Sequence, residues 1–150
     1  MDICSMPINV KVKGKSESAT RLSVSSGKFK MIIDEPEQMG GSNQGPTPIQ
    51  VLLMALAGCL NVTANEVAKQ QSLALTSLDI VVDGNLDACT FMGCSTDNRA
   101  GFDKIKVQLN AEFQVPVSQD KIDFWIKETE RRCPVTDNIM SNTEILLNVN

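Results

Sequence analysis

Residues 49–64 contain no charged side chain, and this constrains the chain more than any other feature. Thr47-Pro48 just upstream offers an N-cap and a first helical residue. The stretch therefore reads as the opening of a helix that runs to about Gln71, with its first two-thirds apolar on every face. A helix that is apolar all round is enclosed all round. A chain of 150 residues has difficulty enclosing one alone, so a partner subunit is expected to provide part of the cover. The stretch is shorter than the roughly 20 residues that span a bilayer, and Gly45, Pro46 and Pro48 crowd its upstream end. No membrane span is expected.

The flanking segments alternate as strands do. Ile8, Val10 and Val12 alternate with Asn9, Lys11 and Lys13, Leu22 and Val24 form a second short strand, and Phe29, Met31 and Ile33 a third. Ser25-Ser26-Gly27 is the expected hairpin turn. Residues 34–47, rich in Gly, Asn, Pro and Ser, read as a loop. After the apolar helix, Leu78, Ile80 and Val82 suggest a strand, and Asp83-Gly84-Asn85 a turn or bulge. A loop follows through Met92-Gly93 and residues 98–101. Ile105, Val107, Leu109, Ala111 and Phe113 then give the cleanest strand in the chain. Ser118 is the expected cap of a helix that presents Ile122, Trp125, Ile126 and Thr129 on one face and ends near Arg132. Pro134 breaks that helix and opens a shorter one, and Ile145, Leu147 and Val149 close the chain as a strand. The order is three strands, a buried helix, two strands, two helices and a strand, one α+β domain over 1–150.

Composition removes several function classes. There is no histidine, so Ser-His-Asp and Cys-His catalysis and His-containing zinc sites are excluded. A net charge of −4 argues against a nucleic-acid backbone as the main partner. Five cysteines, an odd number, do not read as a disulfide scaffold, and the amino terminus lacks the basic and apolar regions of a signal peptide. A reducing cytoplasm is the expected compartment.

Two of the thiols stand in contrasting settings. Cys59 lies in the apolar stretch, Leu56-Ala57-Gly58-Cys59-Leu60, where burial disfavours the thiolate. Cys133 follows Arg131-Arg132 and precedes Pro134. A helix opening at Pro134 places its sulfur at a helix N-terminus, where the dipole and nearby arginines favour the thiolate. By local physics Cys133 is the readier nucleophile. Cys89 and Cys94, spaced by four residues, have no further ligand pair beside them; strand or loop thiols are the plainer expectation, a redox role for the pair is the other, and no metal site is expected there.

Gly45-Pro46-Thr47-Pro48 with Leu52-Leu53-Met54-Ala55-Leu56-Ala57-Gly58-Cys59 resembles the central-helix signature of the OsmC/Ohr family. Cys133-Pro134-Val135 resembles that family's second cysteine motif, and the order of elements agrees over essentially the whole chain. The resemblance implies an intertwined homodimer, with the apolar helix packed centrally between subunits and active sites at the interface. It implies a peroxidatic Cys59 that attacks an organic or lipid hydroperoxide, becomes a sulfenic acid and is resolved by Cys133 to a disulfide. A small or protein-bound dithiol then reduces that disulfide, with no cofactor. The family's peroxidases carry a Glu directly after the helix-opening Pro, where this chain has Ile49. A less characterised branch carries the acid one place later, here Gln50, which makes Gln50 a substrate-binding or supporting residue. The family's activating Arg falls near the first hairpin, where this chain offers Arg21, with Ser18 close to the same register. A dimeric binding protein that keeps the fold and an apolar ligand pocket but does not turn over is the alternative that the missing Glu favours.

Overall fold

A computed structural model describes residues 7–94 and 97–149; Cys4 lies outside the described residues. The chain forms two compact units, one reaching to Leu52 and the other running from Leu53 onward.

The first unit is built on a three-stranded antiparallel sheet, β1 (Lys13–Ser16), β2 (Leu22–Ser26) and β3 (Phe29–Ile33), in that order. Ser25 and Ser26, expected in the turn, lie in β2, and the turn is Gly27-Lys28. Ser26 pairs with Phe29 across it, and Gly27 takes φ +57°, the Gly-X pattern of a two-residue hairpin. The first strand also differs from expectation. Its pairing begins at Lys13, opposite Ser25, because β2 ends one residue later. Residues 8–12 have no ladder partner among the described residues and stay exposed, Ile8 at 84%.

Residues 34–47 form a loop organised by one carboxylate. Asp34 is fully buried. It accepts hydrogen bonds from the N–H groups of Glu35 (2.9 Å), Ser42 (3.0 Å) and Gln44 (3.2 Å) and from the hydroxyls of Ser42 (2.7 Å) and Thr20 (3.2 Å). These donors, the Ser42 hydroxyl foremost, overcome burial and lower its pKa to about 2. The loop passes through a short 3-10 turn at Glu37–Met39. It returns beside β3, where a Cβ on Gly45 would collide with the Ile32 carbonyl. That close approach is the physical need for the glycine in Gly45-Pro46-Thr47-Pro48.

α1 (Pro48–Gln70) opens in the first unit and continues into the second. Its 23 residues, with a mean hydropathy of 1.5 over an 18-residue window, reach the length and composition of a membrane span. A core helix of a globular protein meets the same test, and 33% of that window is buried within the chain. The buried residues of α1, Leu56, Leu60, Thr63, Ala64, Val67 and Ala68, form a single stripe at helical spacing. Enclosure on every face, expected from the sequence, is therefore not reached within one chain: Met54 is 57% and Val62 68% exposed.

In the second unit β4 (Leu75–Asn85) and β5 (Lys104–Phe113) form a long antiparallel pair. Asp83-Gly84-Asn85 completes β4 rather than turning, and the Phe102 ring lies against the bare Gly84 backbone. Between the strands a short helix, α2 (Ala88–Phe91), stands where a loop was expected. α3 (Gln119–Arg132) follows, starting without a side-chain cap from Ser118, and α4 (Pro134–Met140) completes the order. Trp125 of α3 is buried between α1 and the strands; its indole donates to the Ala64 carbonyl at 2.8 Å and meets Phe113 edge-on at 5.7 Å. Residues 145–149, expected as a closing strand, pair with no other strand among the described residues and lie exposed, Leu147 at 91%.

Candidate functional site

The second unit holds two clusters of core side chains, and the smaller one contains the chemistry. Leu56 and Leu60 of α1 pack on Cys133, with Cys59, Ile80, Val82, Ile105 and Val135 around them. Cys59 and Leu60 are neighbours on α1, one turn past Leu56. Cys133 arrives from the other side of the cluster because α3 and α4 meet at it. It closes α3, donating its N–H to the Glu130 carbonyl, and opens α4 with Pro134 in the first turn. Its Sγ accepts the Thr136 N–H at 3.5 Å, the bond a Ser or Asp cap would make. The two thiols consequently share one cluster, close enough for each to act on the other's ionisation.

Their surroundings drive them in opposite directions. Burial pushes the Cys59 thiol up and outweighs the Val135 N–H, which favours the thiolate, and the neighbouring Cys133 sulfur pushes it further. Burial opposes ionisation of Cys133 too. There, the polar hydrogens of Thr136, Cys59 and the Val135 N–H around the sulfur outweigh it and hold the thiol below its ordinary value, although the Thr136 hydroxyl completes no hydrogen bond among the described residues. The sequence reading that Cys133 is the readier thiolate agrees with this, but the cause differs. Arg131 is paired with Glu128 at 2.8 Å and Arg132 donates to Gln70 at 2.7 Å, so the α4 end and Thr136 do what the arginines were expected to do. Accessibility runs the other way: Cys133 is fully buried, whereas Cys59 is half-buried.

Leu56 and Leu60 also line a cavity of about 390 Å³ with Ile105, Val107, Ile126 and Met140. The walls are apolar except for Thr129, Glu130 and Thr136. The Thr129 and Thr136 hydroxyls are buried there with no hydrogen-bond partner among the described residues. A buried hydroxyl in that condition is costly unless something else satisfies it.

Other expected site residues have roles within the first unit. The Arg21 guanidinium is held by Glu17 at 3.0 Å and donates to the Ser42 hydroxyl at 3.3 Å, which in turn donates to Asp34. Gln50 caps α1: its Oε1 accepts the Thr47 N–H at 2.8 Å, and the Thr47 hydroxyl accepts the Gln50 N–H at 3.3 Å. This reciprocal pair is a capping box. The sequence reading missed Thr63 and Thr136. Thr63 sits one turn after Cys59, donates to its carbonyl at 2.9 Å and also reaches its thiol. Its spacing of four along α1, and the place of Thr136 three residues after a capping Cys133, were the available signals.

No curated protein matches this sequence. Among solved structures, the chain is similar to an OsmC-like protein from Mycoplasma pneumoniae, with a TM-score of 0.72, 23% identity, and 90% of this chain and 89% of that one covered. It is also similar to an organic hydroperoxide resistance protein from Legionella pneumophila (TM-score 0.65, 20% identity, 92% and 93% covered). The organic hydroperoxide resistance protein OhrB of Bacillus subtilis is a further match (TM-score 0.57, 21% identity, 90% and 93% covered). These likenesses establish the mixed α+β fold. The sequence model of the family described as OsmC-like protein matches residues 41–148, which include both the Gly45–Pro48 turn with the helix behind it and the Cys133-Pro134 junction. The chain belongs to the OsmC-like protein family.

Proposed function

We propose that this protein is a thiol-dependent peroxidase that reduces organic or lipid hydroperoxides through Cys59 and Cys133. It would act as a homodimer in the reducing cytoplasm. The observation that carries the reading is that Cys59 and Cys133 pack in one cluster with Leu56 and Leu60, whose side chains also line an apolar cavity. The organic hydroperoxide resistance proteins among the similar structures support the substrate class.

The chemistry follows from the contrast between the sulfurs. Cys133 has the more stable thiolate but is shut away, so the half-buried Cys59 is the sulfur a peroxide can reach. Cys133, with its thiol held below the ordinary value beside Cys59, is the proton acceptor as Cys59 attacks. Attack on the terminal peroxide oxygen breaks the O–O bond, giving an alcohol and a Cys59 sulfenic acid. Cys133 then attacks that sulfur, the S–O bond breaks and water leaves. The sum is two thiols and one hydroperoxide giving a disulfide, an alcohol and water, and a small or protein-bound dithiol restores the thiols. The cavity accommodates the apolar body of the peroxide, with Thr129 free to hydrogen-bond a polar oxygen. No step is assigned to Arg21 or Gln50.

The raised Cys59 thiol favours a second reading, an apolar-ligand-binding dimer without turnover. One assay separates them: consumption of an alkyl hydroperoxide with a dithiol reductant. The peroxidase reading expects turnover that falls to the uncatalysed background in Cys59→Ser. Turnover unchanged in that variant would sink the mechanism. An inactive wild type that binds fatty-chain probes in the cavity would select the binding protein.

A further inference from the structure

The chain carries a second pair of thiols, Cys89 and Cys94, on the far side of β4 in sequence and separate from the cluster around Cys133. Their spacing of four carries no meaning by itself. The way α2 ends gives it one. The Gly93 N–H donates to the Thr90 carbonyl at 3.2 Å and the Cys94 N–H to the Cys89 carbonyl at 2.8 Å, with Gly93 at φ +73°. These two nested bonds around a left-handed glycine are the Schellman ending of a helix. That ending folds the side chain after the glycine back onto the side chain in the last turn. In most helices the two positions hold apolar residues in contact. Here both positions hold cysteine, and both are exposed.

We propose that Cys89 and Cys94 form a second redox site, an exposed dithiol that closes to an intrachain disulfide by exchange with small-molecule disulfides. The step balances without a further oxidant. One thiolate attacks a sulfur of the small disulfide and expels one thiolate; the remaining protein thiol loses its proton and attacks the mixed disulfide, expelling the second. The protein loses two hydrogens and the small disulfide becomes two thiols. A metal site does not compete, since among the described residues no cluster of three thiol, carboxylate or imidazole ligands exists. Nearby Asp87 is already committed, its carboxylate accepting the Cys89 N–H at 2.9 Å and an Asn98 amide hydrogen at 2.8 Å. That carboxylate also pushes the Cys89 thiol up, which makes the site slow near neutrality and faster as pH rises. The inference stands independently of any role for Cys59.

The sequence provides a direct test. No Lys or Arg lies between Lys69 and Arg99, so a tryptic digest yields one peptide, residues 70–99, that contains Cys89 and Cys94 and no other cysteine. Cys59 and Cys133 fall on two other peptides. The whole reduced chain is incubated in a glutathione redox buffer, acid-quenched, alkylated and mapped by mass spectrometry. Peptide 70–99 is expected to appear lighter by two hydrogens and unalkylated, whereas any Cys59–Cys133 bond would appear as two joined peptides. Gly93→Ala keeps both thiols but strains the left-handed position. Its ratio of closed disulfide to glutathione adduct should be about tenfold lower. A peptide 70–99 that stays fully alkylated, or carries glutathione on both thiols, overturns the proposal. So does a Gly93→Ala variant that closes as readily as the wild type.

Discussion

At the scale of single residues, Cys59 and Cys133 begin with the same intrinsic acidity and are separated by where their backbones place them. A sulfur in the middle of a helix has no unpaired N–H of its own helix beside it, so burial keeps the proton on Cys59. A sulfur at a helix start meets unpaired N–H groups, so Cys133 receives a hydrogen bond. Thr136 contributes its N–H, and its hydroxyl, buried near that sulfur without completing a hydrogen bond among the described residues, also lowers the Cys133 thiol. Replacing it by valine preserves shape and the N–H and removes only the hydroxyl. The Cys133 thiol should then rise toward its ordinary value, which selectively labelled cysteine resonances would follow by NMR across pH. With less Cys133 thiolate at a given pH to accept the Cys59 proton, peroxide reduction at neutral pH should slow about threefold, the low end of what one polar contact contributes. The ascending limb of its pH profile should move to higher pH. An unmoved Cys133 titration in Thr136→Val would show that the hydroxyl does not act on that sulfur.

At the scale of elements, the helix starts show what sequence can and cannot convey. Thr47-Pro48 announces the start of α1, because an N-cap and a fixed-φ first residue act locally. Gln50 was drawn toward the site by the resemblance, yet the same four residues spell a capping box, which also needs no tertiary context. Gln50→Ala should therefore lower the stability of the chain by about 1 kcal/mol, read as a lower urea midpoint, with peroxide turnover retained. Gln50→Glu keeps the box and adds a negative charge at the helix start, worth about 0.3–1 kcal/mol in the other direction. Loss of turnover in Gln50→Ala at unchanged stability would return Gln50 to the site. β5 was legible because its alternation is long and its two faces differ. β1 was displaced because alternation at Ile8, Val10 and Val12 identifies an apolar face but not a hydrogen-bonding partner, and β2 is too short to provide one. α2 was not legible at all: four residues carry no helical period, and its limits come from Asp87 and Gly93. The donors around the two sulfurs were missed for a different reason, since Thr63 and Thr136 acquire meaning only when α1 and α4 meet.

At the scale of the whole molecule, one chain leaves its most apolar helix half covered. The uncharged stretch 49–64 buries one stripe and presents Met54 and Val62 to solvent, while residues 8–12 and 145–149 lie extended without strands beside them among the described residues. Exposed apolar surface of this kind marks an association site on a soluble protein, and a second copy of the same chain is the occupant that the homodimer reading assigns to it. Light scattering should return twice the chain mass of 16.3 kDa at micromolar concentration. Val62→Arg is the informative variant. Leu56 or Leu60 would confound association with folding, because both are buried in the chain's own core. Val62 is 68% exposed, so an arginine there leaves that core intact and acts only on what covers it. The expected result is a folded monomer with an unchanged circular dichroism spectrum. A wild type that is monomeric, or a Val62→Arg variant that remains dimeric, refutes α1 as the interface. Turnover in the monomer then answers a separate question. The two thiols and the cavity all lie within the second unit of one chain, so activity retained after dissociation would mean that one chain suffices for the reaction. Activity lost from a folded monomer would mean that the partner completes a site which the apolar excess of residues 49–64 had already marked as unfinished.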